Sequence, residues 1–262
     1  MKGFEDDRGQ MFFRIIDILS VKRPRYVLLE NVKNLVHHDK GNTFSVIKNE
    51  LEKLGYKVFF DIFNTANFHL AQRRNRVLIF ATLEDTPDNF IDMFKSGNVS
   101  RLFDSENHDN LVYHDTVHDV LEKEVDDKYF LSTKIKHYCL KYKGVPLENV
   151  KNINRDPALT LVATMFKTQR ANVNNYYTEE FVKSNGESTG TITREDEVES
   201  LRLRKITPTE AFLLQGFPSD FVKKARENGI SDTQLYRQSG NAVSVNVIYA
   251  VLYFLIKNNI IK

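Results

Sequence analysis

Glu30 follows a short apolar run, Tyr26-Val27-Leu28-Leu29. A carboxyl group in that place can grip a ligand, because open α/β sheets bind at the carboxyl ends of their strands. Taken alone it reads equally well as a solvated strand-end glutamate. Gln72-Arg73-Arg74-Asn75-Arg76 gathers three guanidinium groups at the entry of another apolar stretch. Guanidinium is planar, permanently charged and rich in donors, which suits a phosphate or a carbonyl edge, although most isolated basic runs are solvated surface. His114 and His118 are one helical turn apart, as metal ligands can be, but no third ligand accompanies them, so no metal site is expected. Cys139 is the single cysteine and reads as a buried structural thiol. Lys134, Lys136, His137, Lys141 and Lys143 interleave with Tyr138 and Tyr142, either as a phosphate-contacting face or as a wet helix face.

The elements that must position these residues are partly legible. Met11, Phe12, Ile15, Ile16, Ile18 and Leu19 recur at helical spacing, so residues 10 to 20 read as a helix that must end before Pro24. The continuous run Tyr26 to Leu29 reads as a parallel strand buried on both faces. Asn42 or Thr43 can cap a helix carrying Phe44, Ile47, Leu51 and Leu54 on one face, with Gly55 stopping it. Lys57 to Phe63 and Arg76 to Thr82 read as strands, and strand, helix, strand in this order points to an α/β sheet. Residues 84 to 203 alternate polar loops with short apolar runs, such as Pro157 to Leu161, whose periodicity assigns them to neither helix nor strand. Asn172 to Asn175 and Ser184 to Thr193 read as surface loops. Order returns at Thr207-Pro208-Thr209-Glu210, a cap, a first-turn proline and a glutamate at the third position. Val243 to Ile256 reads as an apolar closing helix.

The chain has 262 residues, 41% of them hydrophobic and 27% charged, enough for one large or two modest globular domains. Its formal charge of +2 is too small to establish a polyanion partner. The amino terminus is acidic where a secretory signal would be basic and then apolar, and no membrane association is expected. One cysteine excludes an intramolecular disulfide and agrees with a reducing compartment, so a cytoplasmic protein is expected.

Three stretches taken together resemble one family. The first is Lys2-Gly3-Phe4-Glu5-Asp6-Asp7-Arg8-Gly9 with Glu30-Asn31-Val32 after it. The second is Gln72-Arg73-Arg74-Asn75-Arg76. The third runs from Thr207-Pro208 through Leu214-Gln215-Gly216-Phe217-Pro218 to Gln238-Ser239-Gly240-Asn241-Ala242-Val243. Their order and spacing are similar to those of the DNA cytosine-5 methyltransferases across nearly the whole chain, the variable middle excepted. The resemblance implies a partial Rossmann-like α/β methyltransferase domain, residues 1–83 and 204–262, with an inserted irregular DNA-recognition domain, residues 84–203. It implies transfer of a methyl group from S-adenosylmethionine to C5 of cytosine in double-stranded DNA, of bacterial or phage restriction-modification type. Glu30 would hold and protonate the cytosine N3 while a cysteine thiolate adds to C6. Arg76 and Arg74 would steady the cytosine O2 and the phosphate of the flipped nucleotide. Met11, Phe217, Asn241, Ala242 and Val243 would line the cofactor site, and Asn31, Gln72, Arg73 and Thr160 would contact DNA.

Two family features have no counterpart here. No Gly-x-Gly turn occurs, and Cys139 follows Tyr138, not the proline of the family's Pro-Cys pair. The expectation is a carboxyl-terminal portion that is inactive, and aggregation-prone or partly folded, without an amino-terminal partner supplying the nucleophile. Either a broken or mis-started reading frame or a methyltransferase made as two chains would produce it. A non-enzymatic DNA-binding remnant, or an unrelated α/β enzyme sharing the motifs by chance, are the alternatives.

Overall fold

The structure, a computed structural model, describes residues 7–140, 150, 152–167, 174–184 and 195–262, with no side chains described for 7–10 and 195–196. The stretch Lys2 to Asp6, the Lys141 to Lys143 part of the basic helix and most of the two expected surface loops lie outside these residues. In chain order the first elements are α1 (Asp7–Lys22), β1 (Tyr26–Val32), α2 (Asn42–Lys53), β2 (Lys57–Asn64), β3 (Gln72–Arg73) and β4 (Asn75–Thr82). Then come α3 (Phe90–Met93), α4 (Ser96–Asp104), α5 (Thr133–Leu140), β5 (Ala158–Leu159), β6 (Tyr176–Thr178) and α6 (Glu179–Lys183). The last are α7 (Glu195–Ser200), β7 (Leu203–Lys205), α8 (Pro208–Leu213), α9 (Phe221–Glu227), α10 (Asp232–Asn241) and α11 (Val245–Lys257).

The chain divides into two compact units. The first holds Met1–Asn64, Asn75–Asn107 and Val247–Lys262, and the second holds Thr65–Arg74 and His108–Asn246. These bounds differ from the division at residues 83 and 204 expected from the sequence. Residues 84–107 fold with the sheet because Phe90, Phe94 and Phe103 are apolar anchors fully buried there.

In the first unit the sheet order is β1-β4-β2, and both outer strands run antiparallel to β4. Alternation decides which side chain faces where. Val77, Ile79 and Ala81 pack with Phe44, Ile47 and Leu51 of α2 and Leu19 of α1. The next residue along, Phe80, packs with Phe90 and Phe94, whose ring also meets Phe254 of α11. The central strand β4 is therefore apolar from Val77 to Ala81, and Leu51, at 0% exposure, marks the depth of the α2 contact. Strand β1 departs from expectation. It is an edge strand, antiparallel to its one described partner, and of its residues only Val27 is fully buried. An unbroken apolar run fits a strand sandwiched between layers and equally an edge strand covered in part, so composition alone did not separate the two. Helix α2 starts at Asn42 with Gly41 as its flank, and Gly55 ends it in the left-handed conformation, φ +86°.

In the second unit the ladders are short. Strand β3 pairs in parallel with β5, and β6 pairs antiparallel with β7. Cohesion comes instead from side-chain clusters, one around Ala158, Leu161, Tyr177, Ile206, Leu214 and Tyr236 and another around Cys139, Ile153, Tyr176 and Leu203. The capping box read from the sequence forms: the Glu210 amide donates to Thr207 Oγ1 at 3.2 Å and the Thr207 amide to Glu210 Oε2 at 2.7 Å. By length and composition the stretch Asp232–Lys257 could cross a bilayer, but it is broken at Ala242 to Ser244 into α10 and α11 and half of it is buried in the protein.

Candidate functional site

The antiparallel register places Glu30 opposite Leu78 and Val32 opposite Arg76. With a side-chain period of two, these four residues share one face of the sheet, and Glu30 and Arg76 are diagonal neighbours, about 7 to 8 Å apart at the backbone. That gap suits two long side chains reaching toward each other, and Arg76 Nε lies 2.8 Å from Glu30 Oε1. The pair is neither buried nor free, with side-chain exposures of 18% for Arg76 and 27% for Glu30. Burial pulls the Arg76 guanidinium below the ordinary arginine value, and the Glu30 charge and hydrogen bond oppose that pull. Arg76 Nη1 also donates to the Asn75 carbonyl. Glu30 does not terminate its strand, as the sequence suggested, because β1 continues through Val32. Asn31, next along, points to solvent, and its Oδ1 accepts from the Val32 amide.

In the second unit Gln72 and Arg74 lie in the interior, where the sequence suggested a solvent-facing basic loop. Gln72 is wholly buried; its Nε2 donates to the Leu214 carbonyl at 2.9 Å, and its Oε1 accepts from the Leu161 amide at 3.0 Å. Arg74 is 2% exposed. Its Nη1 donates to the Leu161 carbonyl at 2.9 Å, and its Nη2 to the carbonyls of Ala242 at 2.8 Å and Gly240 at 3.3 Å. Buried polar groups cost free energy unless paired, so these bonds are what makes a glutamine and an arginine tolerable there. The resemblance gives Gln72 a contact with DNA and Arg74 one with the flipped nucleotide; within this structure both side chains fasten backbone. Between them Arg73 faces solvent, and its carbonyl accepts the Thr160 hydroxyl at 2.7 Å. The sequence left other members of this network unassigned. Thr65 Oγ1 lies 2.9 Å from Ser244 Oγ, which donates to Gln215 Oε1 at 2.8 Å, and Gln215 Nε2 donates to the Ser239 carbonyl at 2.8 Å. Gln215 and Gly240 stand inside the recognised motifs, and a polar residue amid apolar neighbours in Leu214-Gln215-Gly216 was the available signal.

The residues expected around a cofactor divide between the units. Met11 is 64% exposed on α1 of the first. In the second, Phe217 is half-buried, its ring edge-on to Phe212 at 5.1 Å and tilted against Phe221 at 4.9 Å. Asn241 and Val243 are exposed and Ala242 is half-buried. Gly216, in the left-handed conformation with φ +85°, leads into Phe217, and a Cβ there would stand 2.9 Å from Asn246 Oδ1. That oxygen is buried without a hydrogen-bond partner, while Asn246 Nδ2 donates to the carbonyls of Phe68 and Val112. The space beside Gly216 is thus filled by the protein's own side chains, Asn246, Leu70 and Val245, while the Phe217 ring is partly open and Asn241 is exposed.

The remaining candidates are structural. Cys139 is buried, and desolvation pushes its thiol up to about 11. Lys136 turns inward from α5, its Nζ donating to the carbonyls of Glu199 and Leu201 at 2.6 and 3.1 Å, so it belongs to neither a phosphate-contacting nor a wet face. His118 packs on the Phe181 ring, and burial lowers the pKa of His114. Among the described residues no three metal-ligating side chains cluster.

Comparison with known proteins agrees with the family read from the motifs. The family described as C-5 cytosine-specific DNA methylase matches residues 1–257. Type II methyltransferase M.SsoII of Shigella sonnei is 37% identical over 95% of the chain and 58% of its own length. Type II methyltransferase M1.ScrFI of Lactococcus lactis subsp. cremoris is 35% identical over 95% of the chain and 56% of its own length. The chain thus spans rather more than half the length of these two relatives. Among solved structures, the S. pombe Dnmt2 methyltransferase covers 98% of the chain with a TM-score of 0.69 at 20% identity, with 75% of that protein matched. The Entamoeba histolytica methyltransferase EhMeth covers 99% with a TM-score of 0.67 at 18% identity, with 71% of that protein matched. These two give the fold, a Rossmann-like α/β methyltransferase architecture, and with the match over residues 1–257 the chain belongs to the C-5 cytosine-specific DNA methylases.

Proposed function

We propose that the chain supplies the base-gripping side, and part of the cofactor side, of a DNA (cytosine-5-)-methyltransferase of restriction-modification type acting on double-stranded DNA in the cytoplasm. The observation that carries this reading is the Glu30–Arg76 pair on one sheet face. In the reaction a thiolate adds to C6 of a flipped cytosine, C5 takes a methyl group as the demethylated cofactor leaves, and loss of the C5 proton expels the thiolate. Cytosine is a poor acceptor, so the addition needs charge drawn toward the pyrimidine edge. Glu30, taking up a proton from solvent as the base enters, passes it to N3 and holds it there, and Arg76, a permanent cation, donates to O2 beside it. Their mutual ion pair keeps both side chains aimed at one place before the base arrives. Asn31, Arg73 and Thr160 contact DNA. Gln72 and Arg74 position the segments around it. S-adenosylmethionine, when bound, would supply the methyl group as an electrophile; Phe217 would pack beside it, and Asn241 with Ala242 and Val243 would hold its amino-acid end.

The thiolate comes from outside these 262 residues. Cys139 is unsuited to the task, since its thiol is buried in an apolar cluster and held protonated at neutral pH. A segment carrying a Pro-Cys pair supplies it. The test is methyl transfer by the chain combined with the Pro-Cys-bearing amino-terminal segment of a relative such as M.SsoII. Glu30→Ala should lower kcat by about 100- to 10,000-fold with little change in cofactor affinity. A Glu30→Ala enzyme within about threefold of the unmutated one would remove Glu30 from the chemistry. DNA binding with no transfer under any combination would favour a non-enzymatic remnant.

A further inference from the structure

One buried guanidinium holds two segments to which the proposed function gives different ligands. Arg74 Nη1 donates to Leu161, adjoining Thr160, while Arg74 Nη2 donates to Gly240 and Ala242, which flank Asn241. The guanidinium is planar, with its donors in a fixed fork, so it cannot follow one carbonyl without pulling on the others. Gln72 repeats the connection beside it, joining the Leu161 amide to the Leu214 carbonyl. There is no slack in the backbone either. A Cβ on Gly240 would lie 2.3 Å from Ala163 N and Val162 C, so the chain at 162–163 rests directly on Gly240. At one end of this connection Thr160 is half-exposed and tied through its hydroxyl to the exposed Arg73, and at the other Asn241 and Val243 are exposed.

We infer that Arg74 and Gly240 couple the two ligand sites: whatever orders Asn241 to Val243 also orders Thr160 to Ala163, so that S-adenosylmethionine and DNA bind cooperatively through this connection. The inference rests on the proposed assignment of Asn241 to the cofactor and of Thr160 to DNA. Arg74 is here a positioning residue, acting through the carbonyls it holds. A coupling of this kind is reciprocal, each ligand tightening the other by the same factor, and couplings through packed segments run from about 5- to 150-fold.

Amide hydrogen exchange of the chain combined with the Pro-Cys-bearing segment, with and without S-adenosylmethionine, tests this without requiring turnover. The expected result is slower exchange at Asn241 to Val243 and, in the same titration, at Leu161 and Ala163. In Arg74→Lys, which keeps the charge and loses the fork, the first protection should persist and the second should fall at least about fivefold, toward the ligand-free rate. Gly240→Ala, which wedges the two segments apart, should do the same. If either variant fails to fold, the unmutated protein still decides. Protection at Asn241 to Val243 with none at Leu161 and Ala163 overturns the coupling and leaves the proposed function standing. No protection at either segment overturns both the coupling and the assignment of Asn241 to the cofactor. Equal protection at both segments in Arg74→Lys and in the unmutated protein would show that the guanidinium does not transmit it.

Discussion

Glu30 and Arg76 meet because a two-residue alternation and one strand register put them on the same face. Alternation sets Arg73 apart from its neighbours, and the break between β3 and β4 separates Arg74 from Arg76, so three arginines close in sequence have three fates. Arg76 stands on the sheet face, Arg74 turns into the interior, and Arg73 points out. The motif was legible in the sequence as chemistry, but the direction of each guanidinium depends on where the short strand β3 ends and β4 begins, which carries no local signal. The Glu30–Arg76 pair is about a quarter exposed, between the surface pairs worth under about 1 kcal/mol and buried pairs whose disruption costs about 3 to 5 kcal/mol. Glu30→Ala should therefore destabilise the protein by about 1 to 2 kcal/mol in urea unfolding, and Glu30→Gln by less, since it keeps an acceptor for Arg76. Cys139 gives a second residue-scale prediction. A thiol raised from 9.0 to about 11 favours the folded state fully below pH 9.0, and that contribution is lost as pH rises through 11. Native protein at pH 8 should resist iodoacetamide and become alkylated on unfolding. Rapid labelling of the native state would place the thiol at the surface.

Thr207 to Glu210 was legible as an element because its signal is local: cap, proline and reciprocal glutamate lie within one turn. The second duty of Glu210 was not legible, because its partners are distant. Arg204, 2% exposed, donates to both of its carboxylate oxygens at 2.7 and 2.9 Å, and the Glu122 amide donates at 2.8 Å. Removing one partner strands the other charge out of water. Glu210→Ala should cost about 3 to 5 kcal/mol, lowering the midpoint of thermal unfolding, whereas Glu210→Gln should cost less because it can still accept from Arg204. A loss below about 1 kcal/mol for Glu210→Ala would mean that solvent reaches the pair. The ladders of the second unit, two or three residue pairs long, escaped the sequence for the same reason. So few alternating positions set no period, and β5 exists only because Gln72 and Arg73 come alongside it.

At the scale of the molecule, the sheet and the helices that cover it were foreseen and the partition of the chain was not. Residues 65–74, between two strands of the sheet, fold with the second unit because Gln72 and Arg74 bond to Leu161, Leu214 and Gly240 there. In the closing helix Val247, Val251 and Leu255 are buried, while Leu252 and Ile256 remain exposed. On α1, Met11, Ile18 and Val21 form a stripe at helical spacing with exposures of 64, 60 and 78%. Apolar stripes of this kind drive association, so light scattering of the chain alone should rise with concentration and fall in an Ile18→Lys, Val21→Lys double variant. Unchanged scattering in that variant would acquit α1. The most direct test of the proposed function is incubation with tritiated S-adenosylmethionine and cytosine-containing duplex DNA, with and without a Pro-Cys-bearing amino-terminal segment. The expected result is label on C5 of cytosine only when the added segment is present, and its loss in Glu30→Ala. Label incorporated by these 262 residues alone would contradict the proposal that the thiolate comes from outside them, and label that persists in Glu30→Ala would contradict the role of the Glu30–Arg76 pair.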